Sequence, residues 1–377
     1  MSRSGGVFSA ALWIGLAACG GGTPARPSPD GAVAVDGRAA DGAAPVDSAA
    51  FDAMPGIDAP ACTPPCFATG MSFVRPSAIT FRDGILYVAD ADTVAAGDAN
   101  RRSGSIYAID GFGRVTTLAT AQLDVRALAV DAAGTLYWSS VGRFDPSRGE
   151  VVEAAIRRLP RGAAASTAVF DPLSSPGGGA LDLVVDDTSV YFGELAAAFS
   201  VNRVLNTGGP VQELARDDLQ PGHVRVQPIS MAQSRERLFW LDQLGGVVTV
   251  SKTGGDAATL VPGVVTSGAS AVGLGVAIDD QSFYFIRSGR AAGDDTLFAA
   301  ALQGGALTPL VQQSGLLGPV IRQDANVYFR IGNDIQRAPA AGGLPIKLAS
   351  EKYSSPFAVG SDYVYWASDG TVFRLPK

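Results

Sequence analysis

The chain has 377 residues, 47% of them hydrophobic and only 17% charged, with 46 Gly and 23 Pro. That length can bury a large core, and the Gly and Pro content suits a turn-dense all-β protein. A formal net charge of −7 argues against a nucleic-acid partner, whose binding draws on clustered basic residues.

In chain order, residues 1–18 read as an export signal: Arg3 precedes an apolar run, Val7 to Ala18, too short to span a bilayer. The run ends Leu16-Ala17-Ala18-Cys19, followed by three glycines. This resembles the lipobox of bacterial lipoproteins, which implies acylation of Cys19 and anchoring in a membrane; ordinary cleavage after Ala18 is the alternative. Gly20, where an Asp would favour retention at the inner membrane, implies the outer membrane. Several acyl chains make a durable anchor, because each buried methylene adds about 0.8 kcal/mol of membrane affinity.

Residues 19–61 are rich in Ala, Gly, Pro and Asp, without helical or strand periodicity, and are expected to be a disordered tether. Between Gly20 and Ala61, Asp30, Asp36, Asp41, Asp47, Asp52 and Asp58 face only Arg26 and Arg38, so the segment carries −4 of the net charge. With Cys19 acylated, Cys62 and Cys66 remain as a pair, expected as a disulfide in an exported chain. A metal site or a thiol-redox motif is the alternative, although no His lies near them and no strand–helix pattern follows.

From residue 62 to 377 an aromatic-centred strand recurs seven times, anchored on Tyr87, Tyr137, Tyr191, Phe239, Tyr284, Tyr328 and Tyr365. The gaps of 50, 54, 48, 45, 44 and 37 residues match the period of four-stranded propeller blades. One unit reads Leu181–Val185 as inner strand, Val190–Gly193 and Val201–Val204 as the next two, and Val211–Leu214 as the outermost. Gly pairs at 208–209, 254–255, 304–305 and 342–343 suit tight hairpins. The second strands are apolar on consecutive residues, as a strand covered on both faces requires. The expectation is a seven-bladed β-propeller of four-stranded antiparallel blades. Its last unit stops one strand short, and Cys66–Thr69 is expected to supply the missing strand and close the ring, the alternative being that it is only the end of the tether.

The segments Leu136-Tyr137-Trp138-Ser139-Ser140 and Val364-Tyr365-Trp366-Ala367-Ser368-Asp369-Gly370 resemble the Tyr-Trp-Thr-Asp repeat of lipoprotein-receptor propellers. Over residues 66–377 the pattern is also similar to TolB-type and NHL-repeat propellers. The resemblance implies fold more than activity, since such folds host many functions.

Long connections (Ala91 to Ser103, Ser139 to Glu150, Asp171 to Gly179, Arg216 to Gln227, Arg287 to Asp295) share one face, the default place for recognition. Candidate ligand residues there are Asp90, Asp92, Arg101, Arg102, Arg143, Arg148, Glu194, His223, Asp242 and Arg287. Asp90, Glu194 and Asp242 occupy equivalent positions three residues past their anchors, where carboxylates either hold a hard cation such as Ca²⁺ or cap strand ends and solvate the rim of that face. The arginines suit an acidic ligand, unless they are scattered surface charge. His223 is the one histidine, a candidate general base with no assigned partner. No nucleophile elbow, zinc pair or phosphate loop occurs, and no resident cofactor is expected. These readings point to a monomeric, non-catalytic binding or assembly module of the cell envelope, contacting another envelope protein or a small ligand. A metal-dependent lactonase or lyase is the alternative.

Overall fold

A computed structural model describes residues 72–91, 103–140, 143–145, 150–152, 154–170, 179–195, 199–217, 226, 228–242, 245–263, 275–287, 295–351, 356–368 and 370–377. All lie within one compact unit, Asp58–Lys377. Cys19, Cys62, Cys66 and the expected closing strand Cys66–Thr69 fall outside the described residues.

The strands form seven antiparallel sheets in sequence order, plus one small hairpin. Blade 1 is β1 (Pro76–Arg82), β2 (Ile85–Asp90), β3 (Ser103–Ile109) and β4 (Val115–Leu123). Blade 2 is β5 (Val125–Val130), β6 (Leu136–Ser140), β9 (Ala155–Leu159) and β10 (Thr167–Phe170), with the hairpin β7 (Arg143–Asp145) and β8 (Glu150–Val152) rising between β6 and β9. Blade 3 is β11 (Gly179–Val185), β12 (Ser189–Leu195), β13 (Phe199–Leu205) and β14 (Gln212–Arg216). Blade 4 is β15 (Ser230–Gln233), β16 (Arg237–Leu241), β17 (Val247–Ser251) and β18 (Ala258–Val261). Blade 5 is β19 (Val276–Ile278), β20 (Ser282–Arg287), β21 (Thr296–Ala301) and β22 (Thr308–Gln312). Blade 6 is β23 (Leu316–Gln323), β24 (Asn326–Ile331), β25 (Asp334–Pro339) and β26 (Ile346–Ser350). Blade 7 shows β27 (Phe357–Val359), β28 (Tyr363–Ser368) and β29 (Thr371–Pro376) among the described residues. The protein is a seven-bladed β-propeller, and the β7–β8 hairpin is a fold within what the sequence reads as an irregular loop.

All seven anchors sit on second strands, and those strands are buried on both faces. Each hydrophobic cluster crosses at least one blade boundary. One joins Tyr87 and Ile106 of blade 1 to Leu136 and Trp138 of blade 2, for example, and another joins Tyr191 and Val201 of blade 3 to Leu238 and Trp240 of blade 4. A fully buried side chain of this size contributes about 1.5–3 kcal/mol. The stability of a blade is therefore largely held at its two boundaries. The glycine pairs have positive φ throughout, as in Gly208 (84°) and Gly209 (126°), which lets the hairpins turn tightly without steric cost.

Another cluster joins the first and last blades, with Phe73, Leu86 and Val88 packed against Ala358, Tyr365 and Val372. The Phe81 ring of β1 stacks on Tyr365 of β28, centroids 5.0 Å apart and planes 17° apart. The chain ahead of β1 also touches blade 7 directly, because the Phe73 N–H donates to the Gly370 carbonyl at 2.6 Å. Between blades 6 and 7, Arg330 and Glu351 form an ion pair at 2.9 Å with both side chains 0% exposed, and the guanidinium lies over the Phe357 ring at 5.3 Å. Removing one partner of such a pair costs about 3–5 kcal/mol.

Gly360 makes the aromatic closure possible, since a Cβ there would stand 2.8 Å from the Phe81 ring. Gly360→Ala is expected to lower unfolding free energy by about 1–3 kcal/mol. Gly111→Ala, a turn position where a Cβ meets nothing within 4 Å, is expected to shift it by less than about 0.5 kcal/mol. Urea unfolding of both variants measures the difference, and equal effects would refute closure through this stack.

Candidate functional site

The equivalent positions three residues past the anchors do not form a solvated rim. Asp90, Glu194 and Asp242 are 6%, 7% and 4% exposed. Asp90 accepts from the Val74 and Arg75 N–H groups at 2.8 and 2.6 Å, fastening the incoming chain to the end of β2. Glu194 accepts from Asn202 Nδ2 at 2.8 Å; burial raises its pKa, partly offset by that bond. Asp242 accepts from the Gly246 N–H at 2.7 Å, closing the turn between β16 and β17. Arg287 donates to the Pro262 carbonyl at 3.2 Å and lies over the Phe285 and Phe298 rings, its pKa lowered by burial against the opposing pull of Asp242. Among the described residues no three His, Cys, Asp or Glu side chains gather closely enough to hold a metal ion. Arg143 lies on β7, whereas Asp92, Arg101, Arg102, Arg148 and His223 fall outside the described residues.

One inner-strand carboxylate links two blades. Asp182 on β11 accepts from the Met231 N–H of β15 at 2.7 Å and from its own neighbour Leu183 at 2.8 Å. Its surface is partly exposed, yet protein surrounds it densely, and burial pushes its pKa up to about 6 against those two bonds.

The opposite face, made of tight turns, carries a repeated polar latch that the sequence reading missed. Asp131, Asp186 and Asp279 end inner strands and accept from the anchor tyrosines Tyr137, Tyr191 and Tyr284 at 3.1, 3.1 and 2.8 Å. The same carboxylates cap the turn N–H groups, as Asp186 does for Thr188 and Ser189 at 3.0 Å each. A cation from the following blade completes two of them: Lys252 Nζ lies 2.9 Å from Asp186, and Arg322 Nε 3.0 Å from Asp279. Each cation also covers a tyrosine face, Lys252 over Tyr191 at 5.1 Å and Arg322 over Tyr284 at 5.6 Å. Burial, then the neighbouring carboxylate, pushes the pKa of Tyr137 and Tyr191 up to about 12. Burial opposes ionisation of Asp186, but Lys252 and the turn donors outweigh it and hold its pKa at about 2. The signal available in sequence was an Asp five or six residues before the anchor Tyr.

The latch is absent between blades 4 and 5. Ser234 takes the Asp place and Phe239 the Tyr place. On blade 5, Ile278 pairs with Phe283 as Arg322 pairs with Val327, so an isoleucine stands where blade 6 has its arginine. Likewise the Leu302 N–H bonds to Gln281 as the Lys252 N–H bonds to Glu236, so a leucine stands where blade 4 has its lysine. The boundary opens as a cleft of about 670 Å³. Phe239, Ala258, Leu260, Ile278 and Leu302 supply its apolar lining, and Gln233, Arg235, Glu236, Arg237, Asp279, Asp280 and Gln303 supply polar lining. Its two hydroxyls are engaged: Ser234 Oγ accepts from the Arg237 N–H at 3.1 Å, and Thr249 Oγ1 donates to the Leu238 carbonyl at 2.7 Å.

No protein-family model matches this sequence. No curated protein sequence matches it either. Among solved structures the chain is similar to YCF48 bound to D1 peptide, with 10% identity and TM-score 0.54 over 83% of this chain and 96% of that one. It is similar to oligogalacturonate lyase from Vibrio parahaemolyticus, with 9% identity and TM-score 0.55 over 81% and 91%. It is also similar to a chain of the mitotic checkpoint complex, with 11% identity and TM-score 0.57 over 85% and 98%. At such identities the likeness establishes a shared β-propeller fold and nothing finer.

Two pH dependences follow from Asp182 and Asp186. The pKa of Asp182 lies above the ordinary 3.8, so the folded protein binds this proton more tightly than the unfolded chain. Its contribution to stability is greatest below about pH 4 and declines as pH rises to about 6. Asp182→Asn should gain stability relative to the parent across that interval, and parallel curves in thermal melts from pH 4 to 7 would refute this. Asp186 behaves oppositely: its depressed pKa gives stability that is present above about pH 4 and lost as pH falls towards 2. Lys252→Met should therefore cost about 1–3 kcal/mol at pH 7, and the cost should shrink below pH 4.

Proposed function

We propose that the chain is exported, acylated at Cys19 and held at the outer membrane, where its propeller serves as a non-catalytic binding or assembly module. The lipobox-like Leu16-Ala17-Ala18-Cys19 and the Asp-rich segment after it support the anchoring. The observation that carries the binding reading is the cleft between blades 4 and 5, a concave apolar surface whose hydroxyls are already engaged by the fold. Such a lining offers contact area and orientation to an occupant, not an activated nucleophile. YCF48, similar in fold, was solved bound to D1 peptide, so a propeller of this architecture accommodates a bound protein segment.

Expression with labelled palmitate tests the anchoring, and cross-linking in intact cells tests the binding role. The parent chain should incorporate label, sediment with membranes and cross-link to one or a few envelope proteins. Cys19→Ser should lose the label and leave the membrane fraction. Unlabelled, soluble parent protein would overturn the anchoring. A purified chain that turns over lactones or uronides, with no cross-linked partner, would overturn the binding role.

A further inference from the structure

We infer that the cleft between blades 4 and 5 is a docking site for a short segment of a partner protein, with an apolar side chain as its anchor and charges of opposite sign on either side of it. This rests on the binding-module reading and names the surface and the kind of occupant.

The cleft lies between two boundaries that carry the full latch. At the boundary between blades 3 and 4, Asp186, Tyr191 and Lys252 join the turn faces, and between blades 5 and 6 Asp279, Tyr284 and Arg322 do the same. Between blades 6 and 7, Lys377 occupies the place of Lys252 and reaches Asp324 at 2.6 Å, although Gln323 holds the latch Asp place there. Between blades 4 and 5 the corresponding residues are Ser234, Phe239, Ile278 and Leu302, all of which line the cleft. Random loss of one latch member would strand its partners, since an unpaired charge at a packed boundary is costly. Here the acceptor, the phenol hydroxyl and both cation positions are replaced together, and the result is a consistent apolar recess.

The charges around the recess indicate what fits. Arg235, Glu236 and Asp280 line it, are exposed, and have no side-chain hydrogen bond or ion pair among the described residues. On the blade 4 side stand Arg235, Arg237, whose Nε is held by Thr249 Oγ1 at 3.0 Å, and Glu236, and on the blade 5 side stand Asp280 and Asp279, the latter paired with Arg322. An occupant is therefore complementary when it presents a carboxylate towards blade 4 and a cation towards blade 5, with its apolar group between them. An acyl chain offers neither charge. A peptide segment offers both charges together with the apolar group.

The test uses the full chain carrying Cys19→Ser, which needs no detergent. Calorimetric titration is run with three acetylated peptide amides: Asp-Leu-Phe-Lys, the charge-reversed Lys-Leu-Phe-Asp, and the anchorless Asp-Gly-Gly-Lys. The first should bind at least tenfold more tightly than either of the others. The triple substitution Ser234→Asp, Phe239→Tyr and Leu302→Lys rebuilds the latch of blade 3 and should abolish that binding without lowering the melting temperature. Arg235→Glu should weaken it about fivefold or more and narrow the preference over the reversed peptide. Because the triple variant is designed to stay folded, Ile278→Arg serves as a second block of the same recess. Equal affinity for all three peptides, binding that survives both blocking changes, or equal heat from a dodecyl maltoside monomer would overturn the proposal. If the triple variant still cross-links to the parent's partners in cells, the binding-module reading stands and this surface is excluded from it.

Discussion

A strand that is apolar on both faces needs protein on each side, and a row of such strands can satisfy all its members only by closing on itself. That constraint governs this molecule. The second strands of all seven blades are buried on consecutive residues, and the hydrophobic clusters lie across the boundaries between sheets. The seam between blades 7 and 1 is packed as the others are, with Phe81 against Tyr365 and Phe73 in the same cluster as Val372. Opening it would expose two faces built for contact with protein.

On this apolar frame the boundaries differ in the finish at their turn faces. Some have a carboxylate, a phenol and a cation; one has stacked rings above a glycine; one has an open recess. The polar finishes are short-range and directional, so they fix which turn meets which, while the clusters beneath provide most of the cohesion. The other face is also engaged in holding the fold, through Asp90 on the incoming chain and Asp242 on its own turn. Residues that look like candidate ligands from their spacing are thereby spent on backbone donors.

The architecture was readable because the sequence features that encode it are local. Tyr87 through Tyr365 recur with a blade-sized period, the glycine pairs mark hairpins, and doubly buried strands show as unbroken apolar runs. The carboxylate-to-tyrosine pairing was also readable in principle, at a spacing of five or six residues. The cations were not, because Lys252 meets Asp186 across 66 residues and Arg322 meets Asp279 across 43, and only the closed ring brings them together. Nor was the β7–β8 hairpin, whose three-residue strands carry too little periodicity to register. Glu194 and Asp242 read as exposed rim positions because nothing in their local sequence announces Asn202 or the Gly246 turn. The recess was encoded as an omission, a phenylalanine at position 239 in a series of tyrosines, and an omission is visible only once its neighbours' function is known.

The finishes at the seams make the seven units non-interchangeable. If residues from Ser230 to Val261 were excised to leave six blades, the Asp186 carboxylate would confront Ile278 and Leu302 instead of an ammonium. Duplicating blade 5 would set a second Ile278 against Asp279, where Arg322 now stands. The number and order of the blades are thus written into the matching of each seam to its two sides, so growth or shrinkage of the ring by whole-unit copying would require compensating changes at the newly created junction.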